Sequence, residues 1–376
     1  MSAILQVLPS LNAGGVERGT LEIGRALVAT GHRSVVVSGG GAMVPQLQNE
    51  GSHHLTLPVG RKSLASLRLI PQLKRLLREV DLVHVRSRLP AWLIYLAWRG
   101  LPESERPRLV TTVHGRYSVN AYSAIMTRGE RVIAISKNVF AYISENYPQT
   151  ELDKVTVIQR GVDPAEFPHD YQPSPEWLQT WHNQQPQTVG KRLLALPARI
   201  SRWKGHESFL RLLKAVVNER QSAEQPVDIH ALIIGAAETK QQPFLAELNA
   251  FVNQHKLTEH VSFLGQRDDM RDLLSISAAT YNLSTRPEPF GRTMIEALSL
   301  GRPVIAWNYG GAAESVAAYY PEGLVATHDE AALLQKTLAV LAAPSTPIAP
   351  LGSPFLLADM QAATLAVYSE LLARGH

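Results

Sequence analysis

The sequence predicts an α/β chain built from two Rossmann-like domains. Three observations carry this expectation. At 376 residues the chain exceeds one typical domain and is long enough for two separate cores. Short apolar runs alternate with helical periodicities from the N-terminus onward, the order that yields a parallel sheet. A Pro- and Gln-rich stretch over 168–190 interrupts this alternation, which then restarts.

Taken in order, residues 3–8 form an apolar run ending at Pro9 and are predicted as a buried strand. Asn12-Ala13-Gly14-Gly15 follows as a turn. Val16, Leu21, Ile23 and Leu27 then recur at helical spacing until Gly31 stops the helix. Residues 33–38 form the next strand and complete a βαβ unit. Further strands are predicted at 82–85, 109–113, 131–135 and 155–158. Pro168, Pro173, Pro175 and Pro186 mark the interruption. Beyond it, strands are expected at 192–196, 229–234, 261–264, 280–283, 303–306 and 324–326, with helices between them. Residues 356–373 are predicted as a closing helix. The expected organisation is an N-terminal domain over 1–168, a linker over 169–190, a second domain over 191–354, and a C-terminal segment 355–376 packing back on the N-terminal domain.

The chain contains no cysteine, which excludes disulfides and thiolate catalysis. The first apolar run lacks a basic leader, so it reads as a strand and not as a signal peptide. No stretch reaches the roughly 18 apolar residues of a membrane-spanning helix, and a cytoplasmic location is expected. Residues 1–190 carry 20 Lys/Arg and 15 Asp/Glu, whereas 191–376 carry 17 and 18. The excess is concentrated in 61–108, with 11 basic and 4 acidic residues, and argues for an anionic partner there.

The most specific run is Glu288-Pro289-Phe290-Gly291-Arg292-Thr293-Met294-Ile295-Glu296-Ala297, which follows a strand and opens a helix. Gly291 permits close approach of a ligand to the helix N-terminus, where unbonded N–H groups favour phosphate. Glu296 can accept paired hydrogen bonds from vicinal hydroxyls, as on a ribose, and Glu288 can do so for a second sugar. Ala198-Arg199-Ile200-Ser201-Arg202-Trp203-Lys204-Gly205 follows the first strand of the second domain, and Arg199 and Lys204 straddle its loop into a helix. Two cations converging there would neutralise a diphosphate. Thr111-Thr112-Val113-His114-Gly115 places a histidine at a strand's C-terminal end, and such ends line the crevice of open α/β sheets. Gly14-Gly15 does not fit G-x-G-x-x-G, so no nicotinamide site is read. No Asp-x-Asp sequence occurs, so no metal clamp is expected.

These segments resemble retaining glycosyltransferases of the two-Rossmann (GT-B) class, in particular family 4, over residues 3–330. The resemblance implies two domains facing across a cleft that holds a nucleoside-diphosphate sugar as donor, with no cofactor. It implies that Glu288 holds the donor sugar, Glu296 the ribose, and Arg199 and Lys204 the pyrophosphate. It places Gly14 and Gly15 under the donor phosphates and His114 against the donor sugar. Phe290, Gly291, Arg292 and Thr293 join the donor site with the run that contains them. Gly265 and Gln266, at the end of another strand, are expected near the base by position. Ser136 and Lys137 resemble a turn on the acceptor side. Trp307-Asn308-Tyr309-Gly310-Gly311-Ala312-Ala313-Glu314 resembles the turn that closes the nucleotide pocket. Two positions depart from the pattern: Pro289 stands where many members have Gly, and Arg160, in Arg160-Gly161-Val162-Asp163, replaces the usual Asn.

Within 63–80, Leu64, Leu67, Ile70, Leu73, Leu76 and Leu77 recur at helical spacing, with Arg68, Lys74, Arg75 and Arg78 on other faces and Pro71 kinking or dividing the segment. It reads either as an amphipathic helix packed on the sheet or as an interfacial segment drawn to anionic lipid on the inner face of the cell membrane. Trp92, Tyr95 and Trp98 add to the second reading. Arg86, Arg88 and Arg116 are expected to meet acceptor phosphates. The expected reaction moves a hexose-type sugar, with UDP as the default carrier and GDP and ADP open. The acceptor is a hydroxyl of an envelope glycan or lipid-linked acceptor, with the lipopolysaccharide core as one candidate. The alternatives are a sugar-nucleotide 2-epimerase and a non-catalytic nucleotide-sugar-binding protein. No nucleic-acid module is recognised.

Overall fold

The computed structural model describes residues 1–12, 14–343, 347–348 and 355–374. Contacts divide the chain into two units, Met1–Arg160 with Leu357–His376, and Gly161–Leu356.

The first unit is a sheet of seven parallel strands: β1 (Ala3–Val7), β2 (Arg33–Ser38), β3 (His53–Thr56), β4 (Leu82–Val85), β5 (Arg108–Val113), β6 (Arg131–Ala134) and β7 (Val155–Val157), in the order β3-β2-β1-β4-β5-β6-β7. Their near-continuous apolar character follows from burial on both faces. Leu5 pairs with Val35 of β2 and with Val83 of β4, so β1 is central and the strand order reverses beside it. One face carries Ile4, Leu82, Val110 and Ile133, covered by Ile23 and Leu27 of the helix Gly15–Ala29 and by Met360, Val367, Tyr368 and Leu371 of the helix Leu357–Ala373. The strand at His53–Thr56 was not anticipated: a short edge strand beginning with two histidines has no apolar pattern to announce it. Within 63–80 the chain forms a 3-10 turn, Leu64–Leu69, and then a helix, Ile70–Leu77, with Pro71 in its first turn, where a missing N–H costs nothing.

The second unit is a sheet of six parallel strands: β8 (Arg192–Pro197), β9 (Ile229–Ile234), β10 (Val261–Gly265), β11 (Ser277–Asn282), β12 (Val304–Trp307) and β13 (Leu324–Val325), in the order β10-β9-β8-β11-β12-β13. Alternate residues of β8 face opposite layers. Leu194 and Leu196 join Phe209, Leu213, Tyr281 and Trp307 in the larger core, while Leu193 and Ala195 meet Leu232, Leu273 and Trp181.

Trp181 bears on the stretch read as a linker. Residues 169–190 include a helix, Pro175–Gln184, capped by the Ser174 hydroxyl accepting from the Trp177 N–H. Trp177 and Trp181 stack one turn apart, and Trp181 is buried in the second unit's core. The division between the units therefore falls at 160/161, ahead of the Pro-rich stretch. The last stretch of the expected second domain, 349–354, lies outside the described residues.

Candidate active site

All strands of the second unit run parallel, so the loops after β8, β9, β11 and β12 share one edge. After β8 the chain makes a 3-10 turn, Arg202–Lys204, and enters the helix His206–Ser222 through Gly205 at φ 83°. A Cβ on Gly205 would lie 2.2 Å from the carbonyl oxygen of Leu283, which follows β11, so only glycine allows these loops to meet. The Thr285 N–H donates to the Trp203 carbonyl at 2.8 Å and ties them further. This packing brings Lys204 onto Glu288: the ammonium donates to Glu288 Oε1, which also accepts from the Ser284 hydroxyl at 2.7 Å. Lys204 Nζ lies 4.3 Å from the Trp203 ring centre.

Arg199 and Lys204 line a common pocket of about 110 Å³ with Trp203, Glu238 and Lys240. Arg199 is largely exposed and donates to Glu238 at 2.8 Å, while Lys240 reaches the other oxygen of Glu238 at 2.9 Å. These neighbours hold the Glu238 carboxyl below the usual range, Lys240 most strongly through its hydrogen bond. Three cations thus share a pocket with one carboxylate, and a second carboxylate, Glu288, anchors Lys204.

The run from Glu288 to Ala297 is built as the sequence implied only in part. Glu288 is buried, and its backbone pairs with the turn after β12, the Gly311 N–H donating to the Glu288 carbonyl at 2.7 Å. A Cβ on Gly311 would lie 2.1 Å from the Pro289 carbonyl oxygen, so this glycine serves close loop packing. Gly291, at φ 83°, starts the helix Arg292–Ser299 with Thr293 in its first turn. Glu296 is buried and pairs with Arg292 at 3.1 Å. Phe290, expected at the donor, is a core residue whose ring stands edge-on to Phe355. Gly265, at φ 66°, ends β10 with open space around it, and Gln266 is exposed beside it. Ser284 and Glu238 were not picked out from the sequence. Each lies within four residues of a strand end, the one signal that could have found them.

In the first unit, Gly14 precedes the helix Gly15–Ala29 with no side chain capping its N-terminus, and a Cβ on Gly15 would meet nothing within 4 Å. Ala13 of the same turn lies outside the described residues. His114 follows β5, its own N–H donating to the Tyr117 hydroxyl at 3.2 Å. Arg160 donates from Nη2 to His114 Nδ1 at 2.7 Å. Burial, then the charges of Arg160 and Arg86, hold the His114 pKa well below the ordinary histidine range.

The acceptor-side residues separate. Arg86 is 2% exposed and therefore is not at the surface where an acceptor phosphate was expected to meet it. Burial lowers its pKa, and Tyr368 and Glu22 oppose that shift. Arg88 lies over the Tyr117 ring at 4.8 Å and donates to the Ser123 hydroxyl at 3.2 Å. Arg116 is exposed and stacks on Tyr142 at 5.0 Å. Ser136 is buried as the cap of the helix Lys137–Asn146, its hydroxyl accepting from the Val139 N–H, and Lys137 is exposed in that helix's first turn.

Two parallel α/β sheets, one carrying an Arg–Lys loop and buried glutamates on its edge, define a nucleotide-sugar glycosyltransferase of the GT-B class. Residues 13–166 match the model of Glycosyltransferase Family 4 and residues 179–347 that of Glycosyl transferases group 1, and the chain belongs to the family 4 glycosyltransferases. The structure is similar to a glycosyltransferase from Rickettsia africae, with a TM-score of 0.83, 29% identity, and coverage of 99% of this chain and 98% of that one. The fold is also that of HepE from Anabaena solved with UDP and glucose, with a TM-score of 0.78, 23% identity, and coverage of 98% and 100%. Among curated proteins it is similar to the lipopolysaccharide core biosynthesis mannosyltransferase LpcC of Rhizobium leguminosarum, 26% identical over 224 residues, or 58% of this chain and 60% of that one.

Proposed function

We propose that the enzyme transfers a hexose, with retention of anomeric configuration, from a UDP-sugar to a hydroxyl of an envelope glycan or lipid-linked acceptor of the lipopolysaccharide-core type. The observation that carries this reading is the pocket shared by Arg199 and Lys204, with Lys204 held on buried Glu288. A departing nucleoside diphosphate gains charge on its β-phosphate, and preplaced cations stabilise that charge without reorganising at the moment of reaction. Glu288 then serves as an acceptor for sugar hydroxyls and a guide for Lys204. It is not one of the paired acid and nucleophile of a glycosidase. Glu296 receives the ribose, and Gly265 and Gln266 border the base. HepE, bound to UDP and glucose, and LpcC, a lipopolysaccharide mannosyltransferase, support the donor and acceptor classes by analogy.

The test is transfer from a panel of UDP-, GDP- and ADP-hexoses, with the product anomer read by NMR. Lys204→Ala and Glu288→Ala are expected to lower kcat by about 10²–10³-fold, the loss seen when one transition-state donor is removed. An inverted product, or wild-type turnover in either variant, refutes the mechanism.

Peripheral attachment to anionic membrane belongs to the same reading. Among the described residues no helix is long and apolar enough to cross a membrane. Leu64, Leu67, Leu96, Val119 and Tyr122 are all exposed, and Arg68 and Arg116 are exposed beside them in sequence. Leu64→Asp with Leu67→Asp is expected to reduce sedimentation with anionic liposomes, and unchanged sedimentation removes the idea.

A further inference from the structure

His84 lies on β4 and His114 follows the neighbouring β5, and the two rings use their nitrogens differently. His84 uses both ring nitrogens, Nδ1 with the Tyr368 hydroxyl at 2.5 Å and Nε2 with the Thr112 hydroxyl at 2.6 Å. It is a satisfied structural group. His114 uses one: Nδ1 meets Arg160 Nη2 at 2.7 Å, and Nε2 is buried with no hydrogen-bond partner. A guanidinium carries donors only and stays protonated. Nδ1 must therefore be the acceptor, and the ring's proton sits on Nε2.

Arg160 is itself held in place. Its Nη1 lies 3.6 Å from the sulfur of Met360 on the helix Leu357–Ala373. A Cβ added to Gly19 of the helix Gly15–Ala29 would come within 3.0 Å of the same nitrogen. The guanidinium is gripped between two helices and aimed at His114. We propose that Arg160 is a positioning residue that locks His114 as its neutral Nε2–H tautomer, making the imidazole a dedicated hydrogen-bond donor to a hydroxyl oxygen of the transferred sugar. This rests on the reading of His114 as a donor-sugar contact. It gives a purpose to the arginine that stands where the family resemblance implies asparagine, and it supplies a partner for the Nε2 that the protein leaves without one.

The groups facing His114 agree. Arg160 follows β7, Arg86 and His84 come from β4 and its end, and Tyr117 comes from its own loop, with Glu22 acting on Arg86. Burial, the two arginines and His84 all disfavour a second proton on the ring.

The test is a long-range ¹H–¹⁵N spectrum of ¹⁵N-histidine-labelled, ligand-free full chain between pH 5 and 8, with His114→Gln assigning the resonance. The expected wild-type result is a protonated Nε2 and unprotonated Nδ1, constant across the range. Arg160→Met is expected to mix the tautomers and bring a titration into the window, with kcat/KM reduced about tenfold, and Arg160→Lys, which keeps a donor, to restore the tautomer. Protonation on Nδ1 in the wild type, or an Arg160→Met spectrum identical to wild type, overturns the proposal. Should Arg160→Met fail to fold, Arg160→Lys and the wild-type pH series still decide. Absence of turnover with every nucleotide sugar would sink the proposed function and leave the tautomer measurable. Turnover with the wrong tautomer would sink this inference alone.

Discussion

Gly205→Ala tests whether backbone packing places the cation. The glycine sits at φ 83°, where a side chain costs about 1–2 kcal/mol, and its new Cβ would lie 2.2 Å from the Leu283 carbonyl oxygen. Ordinary contact requires a retreat of about 1 Å between the loop after β8 and the end of β11. That retreat strains the Thr285–Trp203 hydrogen bond and draws Lys204 from Glu288. A misplacement of ~1 Å in a catalytic contact costs on the order of 10²-fold in rate. Gly190→Ala is the control: its φ of 73° carries the same conformational cost, but nothing lies within 4 Å of its Cβ position. Both variants are expected to lose about 2–8 °C in melting temperature from backbone strain. Only Gly205→Ala should also lose about 10²-fold in kcat/KM. Melting by circular dichroism and donor-saturation kinetics read the two effects, and equal activity in the two alanine variants would refute the reasoning.

Trp181→Ala should destabilise the second unit by about 3–5 kcal/mol, the cost of emptying an aromatic site in a packed core, and expose 169–190 to limited proteolysis. Unchanged protection would return that stretch to the status of a linker. His206 and His230 are buried, and burial pushes each pKa down to about 4. In the unfolded chain each binds a proton near pH 6.5, so between about pH 6.5 and 4 the unfolded state holds more protons and stability falls as pH falls, by up to roughly 3 kcal/mol per histidine. Urea midpoints at pH 7 and pH 5 check the direction; a midpoint that rises on acidification contradicts it. Glu238→Gln breaks an exposed, solvent-screened pair with Arg199, so donor affinity should change less than about fivefold. Glu288→Gln alters a buried partner of Lys204 and should change it more, as titration calorimetry with UDP would show.

The parallel sheets were legible because their strands are apolar runs separated by helical periodicities. The candidate edge was legible to the extent that Arg199, Lys204 and Glu288, which the structure brings together, occur in two short runs. What stayed hidden was set by tertiary contact. Ser174-Pro175-Glu176-Trp177 carries a cap, a first-turn proline and the start of an i, i+4 aromatic pair, yet the surrounding prolines and glutamines outweighed that signal. Phe290 was read with its run, but burial against Phe355 is decided sixty-five residues away. Arg86 was read as a surface cation because it follows a strand. Its burial depends on Tyr368 and Glu22 supplying compensation from elements distant in sequence.

The second unit's cations divide into two kinds, and the division suits successive tasks. Arg199 is exposed and paired through solvent-screened charge, so it can exchange Glu238 for a phosphate at little cost. Lys204 is mostly buried and shares Glu288 with Ser284, so leaving that carboxylate would strand a buried charge. In the proposed reading, an incoming diphosphate would take over the exposed arginine, whereas it would have to fit itself to the lysine. One cation would then serve recruitment, and the other would register the leaving oxygen against the sugar assigned to Glu288. Preorganisation of this kind requires that Lys204 be fixed before the ligand arrives, and the glycine-tight contact between the loops after β8 and β11 supplies that fixity from the fold itself.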